Sequence, residues 1–313
     1  MVQASRVEHV RFAATGLTCV LLAAGCGSHA GGSRGVPIGG ATLRDILSRP
    51  GPDVPLVAGT SDYSPGPIRL SFLVIRRDGA AVSRPAARVW LAESPDSKPF
   101  AQATASAEPI GVPGSSFGYN PKITRLYVAR FSVSRPGDYY VLAEPVGGKP
   151  IQALGKLTVK RVTASPAIGS KAPRSRTPTL ASERGNIAKL TTRVPPDTAL
   201  LRYSVAASIA AHKPFVLVFA TPSLCESRTC GPVVDVVDAV RRRFAHGDIR
   251  FIHVEIYKNN DPAQGPNRWV RQWRLPGEPW TFLVGANGRI EAKFEGSVSV
   301  AELSAAVRRH LEG

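Results

Sequence analysis

The chain has 313 residues, about twice the usual single-domain length, with 43% apolar and 20% charged residues, which excludes wholesale disorder. No segment carries the roughly 20 apolar residues of a spanning helix, so a polytopic membrane protein is excluded. The formal net charge of +17 is spread along the chain. It is densest in a Pro-rich stretch, residues 161–200, that has no aromatic side chain to stack a base, so nucleic-acid binding is set aside. A solvated surface compatible with anionic lipid headgroups or cell-wall polymers fits this charge better.

Arg6 and Arg11 precede a short apolar run, Phe12 to Ala24, which is the charged and apolar pattern of an export signal. The run closes as Leu22-Ala23-Ala24-Gly25-Cys26-Gly27-Ser28. This resembles the lipobox of bacterial lipoproteins, although Ala23 stands where Leu, Val or Ile is usual. The resemblance implies a lipid-attachment site at Cys26 and an extracytoplasmic protein anchored to the cell membrane, since two acyl chains suffice for stable anchoring. The alternative is an ordinary signal peptide with Cys26 incidental. The expected organisation is a signal peptide at 1–25 and a flexible, Gly- and Ser-rich tether at 26–60.

From Pro67 the pattern has period two. Runs at 68–75, 87–91, 123–133, 139–143 and 157–159 are separated by Gly, Pro and Asp clusters, the spacing signal of a β-sandwich over residues 61–160. Pro136-Gly137-Asp138-Tyr139-Tyr140 resembles the corner before a late strand of an immunoglobulin-like fold, which implies a Tyr hydroxyl tied back to the backbone. No cysteine pair bridges the sheets, and no His/carboxylate cluster is present, so a spacer or docking role is expected for this part. Residues 161–200, with five prolines, read as a basic linker.

After residue 200 the elements alternate. Ser204 to Ala211 reads as a short helix. Phe215-Val216-Leu217-Val218-Phe219-Ala220 reads as a strand buried on both faces. Val233, Val236, Val237, Val240 and Phe244 recur at helical spacing, with Arg241, Arg242 and Arg243 in the last turn, where cations suit the helix dipole. Strands at 250–257 and 280–284 follow, then a hairpin at Asn287-Gly288 leading to Phe294. Ser299 and Glu302 form a capping box that opens a final helix.

This order, with the junction Thr221-Pro222-Ser223-Leu224-Cys225-Glu226-Ser227-Arg228-Thr229-Cys230-Gly231-Pro232 and the segment Glu278-Pro279-Trp280-Thr281-Phe282, resembles the thioredoxin-like superfamily. The likeness is to its TlpA-like, membrane-tethered thiol–disulfide oxidoreductases. The resemblance covers about residues 166–313, where Pro166-Ala167-Ile168-Gly169-Ser170-Lys171-Ala172-Pro173 also resembles a lead-in of that group. It implies an α/β thioredoxin fold at 201–313, preceded by the all-β immunoglobulin-like sandwich. It also implies catalytic Cys225 and Cys230, and substrate binding at Glu278 and Pro279, with Pro279 cis.

The cysteine spacing departs from that family: it is Cys-x4-Cys here, and Val233 occupies the second-Cys position if Cys230-Gly231-Pro232 is aligned on Cys-Gly-Pro-Cys. Either Cys230 is the attacking thiolate, held by free amides at a helix start, with Cys225 resolving, or the roles are reversed. With Cys19 and Cys26 assigned to the leader, one pair is left in an exported protein. The pair serves reversible exchange with cysteine-containing exported client proteins and a further redox partner, or it is a static staple in a redox-inert surface protein. No cofactor and no metal are expected. His253 lies mid-strand as a core residue, and the Cys spacing differs from the Cys-x3-Cys of copper-delivery relatives.

Overall fold

The protein is described by a computed structural model covering residues 40–115, 123–225 and 228–312. The export signal and Cys26 lie outside these residues. Seven strands form the first sheet: β1 (Asp53–Ala58), β2 (Gly66–Val74), β3 (Ala86–Ala92), β4 (Ala101–Pro109), β5 (Arg125–Val133), β6 (Gly137–Pro145) and β7 (Gln152–Val159). Their order is β1-β2-β5-β4-β3-β6-β7, and β1 also pairs in parallel with β7, so the sheet closes into a barrel. Alternate residues fill the interior: Ile68, Leu70, Phe72 and Val74 on β2, Ala87, Val89 and Leu91 on β3, and Tyr127, Ala129, Phe131 and Val133 on β5. The period-two pattern is the physical cause, since successive side chains on a strand face opposite ways. A short helix, α1 (Leu43–Leu47), is opened by a Thr42–Asp45 capping box and buries Leu43 and Ile46 against Trp90 and Leu142 on the barrel's outside.

The immunoglobulin-like sandwich is therefore corrected to a closed barrel. A sandwich leaves edge strands open, whereas closure removes them. Closure depends on β1, whose Pro55 argues against a strand and which lies in the stretch read as tether. It depends also on Gly155 of β7, where an added Cβ would stand 3.0 Å from the Leu56 carbonyl oxygen. The expected tyrosine corner is present in a different architecture: Tyr139 Oη donates to the Arg135 carbonyl at 2.8 Å.

The second sheet has four strands, β8 (Phe215–Phe219), β9 (Arg250–Val254), β10 (Trp280–Val284) and β11 (Ile290–Glu295), in the order β11-β10-β8-β9. Only β8 and β9 are parallel. Both faces are covered, which explains the unbroken apolar run of β8 and the burial of every residue of β10. Val216, Val218 and Leu283 pack on α3 (Cys230–Arg243) and α5 (Val300–His310). Phe215, Phe219 and Phe282 pack on the other side against Val205 of α2 (Val205–Ala210), Val270 of α4 (Arg268–Gln272) and Trp273. Residues 161–200 run along this sheet: Ala172 N donates to Gly288 O, and the Trp273 indole donates to Ser175 Oγ at 3.0 Å.

The chain as a whole is mostly β and is not the α/β thioredoxin fold expected of it. Seven of its eleven described strands close a barrel, and three of its five described α-helices have six residues or fewer. The local strand–helix order of the last third did not reveal how that third is built into the rest. Barrel and sheet join through charged and backbone contacts. Glu302 accepts from Arg69 at 2.8 Å and Arg130 at 2.6 Å. Glu295 accepts from the backbone N–H groups of Ser61 and Asp62, and Asp62 accepts from Ala164 and Ser165. At Gly296, with φ +70°, an added Cβ would lie 2.5 Å from the Gly59 carbonyl oxygen, so the two parts meet backbone to backbone.

Candidate functional site

Strand β8 ends at Phe219, and the chain continues through Ala220, Thr221 and Pro222 to Cys225. Arg228, at φ 56°, donates its backbone N–H to the Cys225 carbonyl at 3.1 Å, and α3 then begins at Cys230. The two cysteines are brought close together, their Sγ atoms within 4.8 Å of one another. No disulfide joins them. The Glu278–Pro279 peptide, immediately before β10, is cis. Glu278 projects its carboxylate to the same point: a carboxylate oxygen and the two Sγ atoms all lie within 4.8 Å of one another. The structure thus brings together three of the four residues expected at this site, and Pro279 is adjacent through its bond to Glu278.

The two cysteines of this cluster are buried and Glu278 is half-buried. Cys230 is fully buried and Cys225 is 9% exposed. Burial pushes the Cys230 thiol well up from its ordinary range, and the Cys225 thiol and the Glu278 charge add to the rise. A backbone hydrogen bond with Thr221 opposes this rise without cancelling it. Burial also raises Glu278 to about 7, with the charge at Cys225 adding to it, while hydrogen bonds from Cys230 and Tyr257 oppose the rise. Tyr257 Oη donates to Glu278 Oε1 at 3.4 Å.

His253 stands apart from this cluster. Its Nε2 is 2.9 Å from the Ala220 carbonyl, and burial lowers its pKa. Cys225, Cys230 and Glu278 are the residues able to supply ligands to a thiophilic cation. Tetrahedral zinc would require the sulfurs at about 3.8 Å, given Zn–S bonds of about 2.3 Å.

No family model matches the chain, and no curated protein matches it. The resemblance to the thioredoxin-like superfamily is thus overturned on two grounds, the barrel-dominated fold and the absence of any family match. What stands is the local geometry.

That geometry includes one feature the sequence did not signal. A cavity of about 640 Å³ opens between barrel and sheet and reaches Glu278, though neither cysteine lines it. Arg228, Thr229, Pro232 and Glu278 form its wall on the cysteine side, and Ala58, Ser71 and Leu73 form its wall on the barrel side. These residues are separated by more than 150 positions, so no motif could announce them.

Proposed function

We propose that Cys225 and Cys230 carry out reversible thiol–disulfide exchange. The observation that supports this reading best is the convergence of the Cys225 and Cys230 sulfurs with the Glu278 carboxylate, whose pKa burial raises to about 7. Cys225, the less buried sulfur, attacks a disulfide of the partner; the partner's S–S bond breaks and one partner thiolate leaves and is protonated by solvent. Cys230 then attacks the Cys225 sulfur of the mixed disulfide. Its proton passes to Glu278 as the new S–S bond forms, and the second partner thiol departs. The protein dithiol and one disulfide become a protein disulfide and two thiols, and the reverse sequence reduces the protein.

Glu278 is suited to this role because a base works best with a pKa near the working pH. The site of action we propose is extracytoplasmic, with a lipid anchor at Cys26, on the strength of the Arg6/Arg11 and Leu22–Cys26 leader.

The test is trapping. The Cys230→Ser protein, mixed with a disulfide, is expected to accumulate a mixed disulfide at Cys225, and Cys225→Ser is not. If neither variant forms an adduct while both native thiols titrate after denaturation, the exchange reading is wrong.

A further inference from the structure

The Cys225 and Cys230 sulfurs and a Glu278 carboxylate oxygen, all within 4.8 Å of one another, are donors of the kinds that hold a soft or borderline metal ion. By plane geometry, three atoms no farther apart than 4.8 Å all lie within about 2.8 Å of one central point. Zinc bonds sulfur at about 2.3 Å and carboxylate oxygen at about 2.0–2.2 Å. Shifts of well under an ångström per donor therefore close all three on one cation. The elements hold the donors in place. Cys230 is the first residue of α3 and fully buried, and Glu278 stands two residues before β10. Tyr257 Oη donates to Glu278 Oε1 at 3.4 Å, the kind of outer contact that orients a metal-binding carboxylate.

Charge points the same way. Among the described residues Glu278 forms no ion pair with a Lys, Arg or His side chain. The groups whose charge acts on Cys230 and Glu278 are Cys225, Glu255 and each other, all of them acidic. Buried charges are normally paired or bound to a metal. A divalent cation supplies the compensation that no basic side chain gives here. The donor set also selects among cations. Magnesium and calcium take oxygen ligands, and copper(I) takes sulfur, whereas zinc accepts two thiolates and a carboxylate together.

We infer that Cys225, Cys230 and Glu278 bind one zinc ion in the reduced protein. Two Zn–S bonds and one Zn–O bond form, the thiol protons pass to solvent, and no electron moves. Three protein ligands leave the fourth tetrahedral position to water or a further ligand. The cavity between barrel and sheet reaches Glu278, so the cation enters by the carboxylate. A disulfide between the cysteines removes two of the three ligands, so zinc and thiol–disulfide exchange exclude one another at this site. The zinc site does not depend on the exchange reading.

The experiment uses the reduced, metal-free full-length protein. Titration with zinc in competition with the chelating dye 4-(2-pyridylazo)resorcinol is expected to give one zinc per chain. Cobalt(II) in place of zinc is expected to show a sulfur-to-cobalt charge-transfer band. Cys225→Ser and Cys230→Ser are each expected to weaken binding more than about a hundredfold, and Glu278→Gln about tenfold, with far-ultraviolet circular dichroism reporting whether each variant folds. The unaltered chain supplies a second readout: equimolar zinc is expected to slow alkylation of both cysteines by iodoacetamide at least about tenfold. Zinc left wholly on the dye, zinc bound equally well by both Cys→Ser variants, or a cobalt complex without the sulfur band overturns the inference. Zinc binding without a thiol–disulfide transition keeps this site and removes the exchange reading, and the reverse result keeps exchange and removes the site.

Discussion

Replacing Glu278 by Gln separates the carboxylate's charge from its shape. In the folded protein Glu278 is raised from 4.5 to about 7. At about 1.4 kcal/mol per decade that difference amounts to about 3 kcal/mol, and solvent screening at a partly exposed carboxyl reduces it to about 1–2 kcal/mol. The folded state holds the proton more tightly than the unfolded chain, so the stability associated with Glu278 is complete below pH 4.5. It is lost as pH rises through about 7, because the unfolded chain then binds fewer protons than the native one. Glu278→Gln is never ionised and escapes that loss. Urea unfolding of the reduced protein at a series of pH values is expected to show the variant and the parent alike near pH 4.5, and the variant more stable by about 1–2 kcal/mol at pH 8. The same variant is expected to trap the mixed disulfide longer, since Cys230 loses its proton acceptor. A stability difference that does not change with pH would refute the placement of a neutral-range carboxyl beside the thiols.

Two further substitutions test the join between barrel and sheet. Gly296→Ala places a Cβ 2.5 Å from the Gly59 carbonyl at φ +70°, and is expected to cost about 2–4 kcal/mol, read as a lower melting temperature; a melting point unchanged within a degree or so would show that the two parts are not in backbone contact. Glu302→Gln leaves Arg69, only 13% exposed, without its partner carboxylate and is expected to cost about 3 kcal/mol at pH 7. Burial by itself would raise Glu302, but Arg69 and Arg130 hold it below its ordinary value of 4.5, so its contribution persists above that pH and is lost as the solution is acidified through the lowered value. Parent and variant curves are therefore expected to converge in acid; parallel curves would contradict the ion pair.

The parts of this structure that could be read from the sequence are those with local physical causes. Strand β8 announces itself by a five-residue run buried on both faces, and α5 by its Ser299–Glu302 capping box. The turn before β11 follows from Asn287-Gly288, where Gly288 takes φ +74°. Strands β1 and β4 were not legible, because Pro55 argues against the first and the Ala-rich run of the second has low strand propensity. Barrel closure depends on Leu56 meeting Gly155 across about a hundred residues, a fact with no local signature. The cysteines could be picked out by their scarcity and their place after a buried strand. That Glu278 brings a carboxylate to both sulfurs, and that Leu73 of the barrel and Arg228 line one cavity, depends on tertiary packing alone.

The central claim is that the Cys225 and Cys230 thiols of the native protein exchange as one pair, and a redox titration in dithiothreitol buffers tests it most directly. The account predicts that both thiols disappear together in one reversible transition with a slope of about 30 mV per decade, the mark of a two-electron couple, and that Cys225→Ser or Cys230→Ser abolishes it. Two thiols that persist across the whole range, or that titrate separately into disulfide-linked dimers, would contradict it.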